Sequence, residues 1–201
     1  MEKSEEEFKP SYKVIETTEE ERKKYQFTTN EDKVQEAERL KLEGNTFFKQ
    51  NNYKTALKCY HKVFFMLNGI LDPDDENSKY IKKKDVPDSK TLEKSKEIKL
   101  ATYLNMAQIY ILNGNYEKAR DSAIKSLEIK ETPKGFYRRG CAYIQLNELD
   151  KAKNDLERVK EFERSMGIDK NTDLDEKFFI IKEKQKKFDN EMKNKLKKMF
   201  G

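Results

Sequence analysis

The feature that most limits what this chain can become is an internal repeat. Three segments align on a small residue followed twelve positions later by alanine: Gly44 with Ala56, Ala107 with Ala119, and Gly140 with Ala152. Phe47, Tyr110 and Tyr143 stand three positions after the first small residue, and Tyr53, Tyr116 and Leu149 three before the alanine. Between the two halves of each segment lie Asn51-Asn52, Gly114-Asn115 and Asn147-Glu148, and Asn and Gly are the residues that accept the left-handed backbone ending a helix. Two antiparallel helices, A and B, approach closely only where the contact carries a small side chain. Gly or Ala on helix A and Ala on helix B permit that approach, and the flanking aromatics fill the space around it. One such pair cannot bury its apolar face alone, so successive pairs stack into an array.

Composition agrees with an elongated helical array. Of the 201 residues, 40% are charged and only 35% hydrophobic, and Gly (7) and Pro (4) are scarce. Both facts count against a turn-rich β fold and against one compact globule. The small-residue pattern, the aromatic positions and the turns together resemble the tetratricopeptide (TPR) family over roughly residues 30–165. The resemblance implies an all-α fold: three helix-turn-helix repeats in a right-handed superhelical solenoid. Repeats two and three are offset by 33 residues, and repeats one and two by 63. The usual period is about 34, so about 29 residues are inserted near 70–95. This insert carries Asp72-Pro73-Asp74-Asp75 and Lys82-Lys83-Lys84. It is expected to lengthen the first B helix and then form a mobile loop.

The domain reading follows. Residues 1–27 lack a sustained apolar period and read as a charged tail or linker. The repeat domain occupies 28–165, opening at Thr28-Thr29-Asn30-Glu31, a capping-box-like start. After the break at Ser165-Met166-Gly167, residues 172–200 read as one long amphipathic helix. Phe178, Ile181, Phe188, Met192, Leu196 and Phe200 recur in it at helical spacings. Its first half is expected to cap the last repeat. Its second half holds the basic surplus: from Lys182 to Lys198 eight Lys stand against three acidic residues, a surplus equal to the +5 net charge of the chain.

In a solenoid of this kind the A helices line the concave groove. Lys41 and Asn45 are four apart on the first A helix, Lys134 and Arg138 four apart on the third, and Asn105 lies on the second between them. Residues at that spacing share a helix face. Three cations and two amides on one surface suit a ligand with more than one carboxylate, because Lys and Arg give charge-assisted hydrogen bonds and Asn donates from its amide. The five residues resemble the carboxylate clamp of chaperone-binding TPR domains. They stand in Lys-Leu-Glu-Gly-Asn at 41–45, Leu-Asn-Met-Ala at 104–107 and Lys-Gly-Phe-Tyr-Arg-Arg-Gly at 134–140. The resemblance implies a co-chaperone module that takes a free C-terminal Glu-Glu-Val-Asp tail of ninety- or seventy-kilodalton heat-shock chaperones, in the cytoplasm or also the nucleus.

Context narrows the resemblance further. Tyr25-Gln26-Phe27 before the first repeat, the insert after it and the ending Leu-Lys-Lys-Met-Phe-Gly are similar to the C-terminal part of FKBP-type immunophilins, which carry an isomerase domain before the TPR. No glycine-rich, strand-patterned segment stands here, so the chain is read as a binding module and not an enzyme. The inventory agrees. His61 is the only histidine, one residue after Tyr60 and away from the expected groove. No nucleophile–base pair, metal cluster or phosphate-binding loop is legible, and no cofactor is expected. Cys59 and Cys141 are expected to be buried reduced thiols of an intracellular protein. The near balance of 43 basic and 38 acidic residues does not resemble a nucleic-acid binder. The longest apolar run, Val63 to Leu67, is too short to cross a bilayer. Two alternatives stay open: a general TPR scaffold for another acidic-tailed partner, and calmodulin or an anionic membrane surface on the basic last helix.

Overall fold

The computed structural model describes residues 29–72, 86–168 and 172–200; the expected tail at 1–27 and the centre of the insert, 73–85, lie outside them. Among the described residues the chain is all-helical. The helices are α1 (Asn30–Lys49), α2 (Tyr53–Leu67), α3 (Ser89–Leu112), α4 (Tyr116–Ile129), α5 (Pro133–Gln145), α6 (Leu149–Ser165) and α7 (Thr172–Phe200). Each of α1–α2, α3–α4 and α5–α6 is an antiparallel repeat; α2 packs on α3, α4 on α5, and α1, α3 and α5 pack on one another in series. The A helices therefore form one continuous wall, as a solenoid of TPR repeats requires.

The three intra-repeat turns are built alike. Asn51 (φ 58°), Gly114 (φ 70°) and Asn147 (φ 59°) take the left-handed conformation. In each turn two amides close back onto the preceding helix: Asn52 to Phe47 O (2.9 Å) and Asn51 to Phe48 O (3.0 Å), with the same pairs at Asn115–Tyr110 and Gly114–Ile111, and at Glu148–Tyr143 and Asn147–Ile144. This satisfies carbonyls that the helix end leaves open. Asn52 and Asn115 then cap the following helix through their side chains, while Glu148 makes no such bond. At the other end of the chain Thr29 and Asp32 form a reciprocal capping box that starts α1.

The small-residue contacts stand where the repeat demands them. Ala56, Ala107, Ala119 and Ala152 are wholly buried. A Cβ on Gly44 would lie 2.5 Å from Tyr60 Cε1, and one on Gly140 3.1 Å from Leu156 Cδ2. In the third repeat Arg139 adds a bidentate bridge to the buried carboxylate of Asp155 (2.8 and 2.7 Å).

The insert departs from expectation. Instead of extending, α2 stops at Leu67, followed by Asn68 and by Gly69 at φ +88°. The added helix belongs to α3, which begins at Ser89, eleven residues before the position (Leu100) where the repeat itself would start. Asp88 caps it by accepting from the Thr91 amide (2.6 Å), and Thr91 Oγ1 donates to Glu31 on α1 (3.1 Å). Ile98 is buried in a core shared with Val34, Ala37, Leu40, Val63, Leu67 and Ile70, with Leu92 packed against it. This extra turn-and-helix thus has apolar partners on both α1 and α2.

The last helix does two different things along its length. Leu174 and Ile181 are buried against Phe136, Leu156 and Val159, with Phe178 and Ile180 packed alongside. The Tyr137 hydroxyl bonds to Asp173, and Lys184 Nζ donates to Ile144 O (2.9 Å) and Asn147 Oδ1 (3.0 Å) at the end of α5. From Lys186 to Phe200 every residue is exposed, including Phe188, Met192 and Leu196.

Two outcomes are expected. Deleting 172–201 uncovers the core of the third repeat; burying a side chain such as Leu174 or Ile181 is worth about 1.5–3 kcal/mol each, so thermal unfolding should fall sharply and aggregation rise. Deleting only 189–201 should leave the unfolding temperature unchanged, and a drop equal to that of the longer deletion would contradict the capping role. Second, Gly44→Ala should destabilise by about 1–3 kcal/mol, because the Tyr60 ring is fully buried and cannot retreat; this outweighs the gain of about 1 kcal/mol that Ala brings to a helix. Gly140→Ala, whose Cβ would come no nearer than 3.1 Å to Leu156 and 3.4 Å to Asp155, should cost clearly less than Gly44→Ala in the same denaturant titration.

Candidate functional site

The wall formed by α1, α3 and α5 carries all five residues singled out from the sequence, and at its centre the two asparagines are joined by a hydrogen bond. Asn45 Oδ1 accepts from the Tyr60 hydroxyl (2.7 Å) and from Asn105 Nδ2 (2.8 Å). With its oxygen doubly occupied, Asn45 keeps its amide N–H groups, for which no acceptor is recorded among the described residues. The two asparagines come from helices 60 residues apart in sequence, so this bond registers the first repeat against the second.

Tyr60 is a member of this network that the sequence reading did not single out. It sits on α2, one turn after Ala56, is fully buried, and packs its ring on the bare Cα of Gly44. Burial pushes its phenol up to about 12, so at neutral pH it is a hydroxyl that donates. A tyrosine at that position reads from sequence as core, which it also is; only the pairing with Asn45 on the neighbouring helix reveals its polar task.

Arg138 lies within electrostatic reach of Tyr60. Its Nη1 is buried and is the one buried side-chain nitrogen or oxygen among the described residues without a hydrogen-bond partner. Burial lowers its guanidinium to about 10, so it stays a cation at neutral pH while lacking a counter-ion. Its neighbour Arg139 is committed to Asp155. The two adjacent arginines thus separate into one that ties helices together and one that is left unpaired. An unsatisfied buried donor costs about 1–3 kcal/mol, more when charged, and an anion supplied from outside would relieve that cost.

The two lysines flank this centre. Lys134, one turn before Arg138 on α5, is exposed and makes no ion pair among the described residues. Lys41, one turn before Asn45 on α1, is mostly buried; its Nζ stands 3.5 Å from Glu38 Oε1, an oxygen that also receives Lys94 Nζ at 3.1 Å. Lys94 belongs to the added segment of α3. These contacts hold the Glu38 carboxyl below its ordinary range, with Lys94 the largest influence. Chemically, the wall offers amide and ammonium donors around one unpaired guanidinium, a set made for carboxylates.

The remaining reactive groups lie elsewhere. His61 is exposed on α2, beside a groove with Tyr103, Tyr110 and Lys118, and partial burial and Lys118 lower its pKa. Cys59 is buried, but Cys141 is only partly so, against expectation, because it lies on the face of α5 toward the start of α7 rather than inside a repeat. Both thiols are free, and burial pushes both upward. No group of three or more His, Cys, Asp or Glu able to hold a metal occurs among the described residues, and no helix there is long and apolar enough to cross a membrane.

Comparison with known proteins agrees with the geometry. The tetratricopeptide repeat family pattern matches residues 100–133 and 133–166, the second and third repeats. Peptidyl-prolyl cis-trans isomerase FKBP4 of Bos taurus is 27% identical over 132 residues, which cover 65% of this chain and 26% of that protein. Peptidyl-prolyl cis-trans isomerase PASTICCINO1 of Arabidopsis thaliana is 29% identical over 143 residues, covering 71% and 19%. The chain thus spans about a quarter or less of the length of these relatives. Among solved structures, the C-terminal TPR-containing domain of a Plasmodium falciparum FK506-binding protein superposes with a TM-score of 0.69 at 28% identity, over 83% of this chain and 98% of that one. The first TPR of Spaghetti (RPAP3), bound to the HSP90 peptide SRMEEVD, gives a TM-score of 0.55 at 24% identity over 76% and 94%, a likeness of fold. The chain therefore carries tetratricopeptide repeats and is homologous to the C-terminal TPR region of FKBP4-type immunophilins.

Proposed function

We propose that the wall of α1, α3 and α5 is a carboxylate clamp that binds the acidic, free C-terminal tail of a ninety-kilodalton-class heat-shock chaperone, making the chain a co-chaperone module and placing it with that partner in the cytoplasm. Arg138 carries the reading: a buried cation with an unpaired Nη1 beside the Asn45–Tyr60–Asn105 network. Structural ion pairs are complete in the free protein, as Arg139–Asp155 is, whereas a binding site leaves its strongest donor open. Lys41 and Lys134 add positive charge on either side. A tail ending Glu-Glu-Val-Asp presents a terminal carboxylate and an Asp side chain on one residue, with acidic residues just upstream, which matches that donor set. The Spaghetti repeat domain with its HSP90 peptide is an instance of this fold taking such a tail. The module binds and does not catalyse: the matched part of the isomerase relatives is their repeat region.

The test is calorimetry of the 201-residue chain with Ser-Arg-Met-Glu-Glu-Val-Asp as free acid and as C-terminal amide, with a seventy-kilodalton-class tail as a second arm. The free acid is expected to bind on the order of micromolar, since ordering a flexible tail offsets much of the contact energy, and more weakly as salt is raised. The amide should bind at least tenfold less, a charge-assisted hydrogen bond being worth about 1.5–3 kcal/mol and about 1.4 kcal/mol a factor of ten. Lys134→Ala should lose about ten- to a hundredfold on the same grounds. Arg138→Met should lose binding too, yet leave the unliganded protein as stable as before or more so, because it removes an unpaired buried charge. If Lys134→Glu folds normally and binds the free acid at wild-type strength, the clamp does not exist.

A further inference from the structure

We infer that Lys94, on the helix added by the insert, is a positioning residue of the clamp: by holding the Glu38 carboxylate it keeps Lys41 available for an incoming carboxylate. The inference rests on the clamp reading above and concerns how this chain regulates that site.

Glu38, Lys41 and Asn45 lie on one face of α1, at spacings of three and four. Glu38 is therefore a negative charge beside the donors proposed to receive an acidic ligand. Left alone it would do two harmful things. It would bind Lys41 as an internal substitute for the ligand, and it would repel the ligand's own carboxylates. A single oxygen, Oε1, faces both lysines, at 3.1 Å from Lys94 Nζ and 3.5 Å from Lys41 Nζ. The shorter contact goes to Lys94, and only the longer, weaker one to Lys41. Charge-assisted N–H···O bonds are normally about 2.7–2.9 Å, so Lys41 holds Glu38 loosely.

Lys94 reaches this place only because α3 starts eleven residues early. The extension is fixed to α1 by the Thr91–Glu31 bond and by burial of Ile98 with Val34 and Ala37. Between α1 and the extension runs a groove of about 850 Å3, lined by Gln35, Glu38, Lys90, Lys94 and Glu97 among others. The Lys94 side chain is itself partly exposed, at 43%, so packing alone does not hold it there. In this geometry the inserted segment is a part of the binding apparatus: it delivers the counter-ion that neutralises Glu38.

A double-mutant cycle on the full chain, read by calorimetry with the free-acid Ser-Arg-Met-Glu-Glu-Val-Asp peptide, tests it. Lys94→Gln should weaken binding by about two- to fivefold, the range of a partly exposed ion pair, because Glu38 then turns to Lys41. Glu38→Gln should bind as tightly as wild type or up to about fivefold tighter. In the double variant the effect of Lys94→Gln should vanish, leaving the affinity of Glu38→Gln alone. If Lys94→Gln weakens binding equally in both backgrounds, Lys94 acts on the ligand directly or through the general field, and the inference is overturned. It is equally overturned if neither substitution changes affinity while the wild type still prefers free acid to amide. Loss of that preference in the wild type overturns the clamp itself, and this inference with it. Both positions are surface positions on helices, and circular dichroism and unfolding temperature should match the wild type.

Discussion

Tyr60 against Gly44 is the contact on which the rest of this structure turns. The first repeat closes because a ring lies flat where α1 has no side chain; a single methyl there would sit 2.5 Å from the ring. Since the ring is fully buried, its hydroxyl has to be satisfied inside the protein, and it donates to Asn45, one residue beyond the glycine. That bond fixes the Asn45 rotamer, and the fixed oxygen in turn accepts from Asn105 on the next A helix. A steric requirement of helix packing is thereby converted into an aligned pair of amides across two repeats. Packing and site are here one arrangement, so a change at Gly44 is felt at both.

The same logic explains what was legible in the sequence. The turns are local: Asn51, Gly114 and Asn147 are left-handed because the chain must reverse within a few residues, and residue type alone announces that. The alanines Ala56, Ala119 and Ala152 repeat in register three times, and each is wholly buried. The insert was not legible in this way. Whether its second half continues α2 or precedes α3 depends on an apolar partner, and that partner, Val34 and Ala37 on α1, is far away in sequence and nearby only after folding. Tyr60 was missed for a related reason. Buried tyrosines are common, and nothing local distinguishes one whose hydroxyl organises a site from one whose hydroxyl merely finds a carbonyl.

Along α7 the amphipathic period continues well past the point where there is anything to pack against. Leu174, Phe178 and Ile181 meet the third repeat, and Lys184 closes on the last carbonyls of α5. Phe188, Met192 and Leu196 continue the stripe but remain exposed. Periodicity therefore reports helix and face, while burial is decided by how long the neighbouring helix is. Here α6 begins at Leu149, and its turn residue Asn147 marks the edge of the body that α7 overruns.

What distinguishes the centre of the wall from ordinary surface charge is that its electrostatics are incomplete by construction. Most cations of this chain that appear in ion pairs are answered by a neighbour on the same helix or across a repeat, as Arg39, Arg139 and Arg158 are. Such pairs contribute little when exposed and leave nothing for a ligand. Arg138 is different because its Nη1 is buried, so that the absence of a partner has an energetic consequence, and because the Asn45 oxygen is already taken by Tyr60 and Asn105. Such an arrangement would lower the stability of the free protein and, on the clamp reading proposed above, raise its affinity for an anion by the same physical cause. A repeat array tolerates this well: each repeat draws its stability from its neighbours, so the cost borne at α5 is shared with the packing of α4, α6 and α7 on either side.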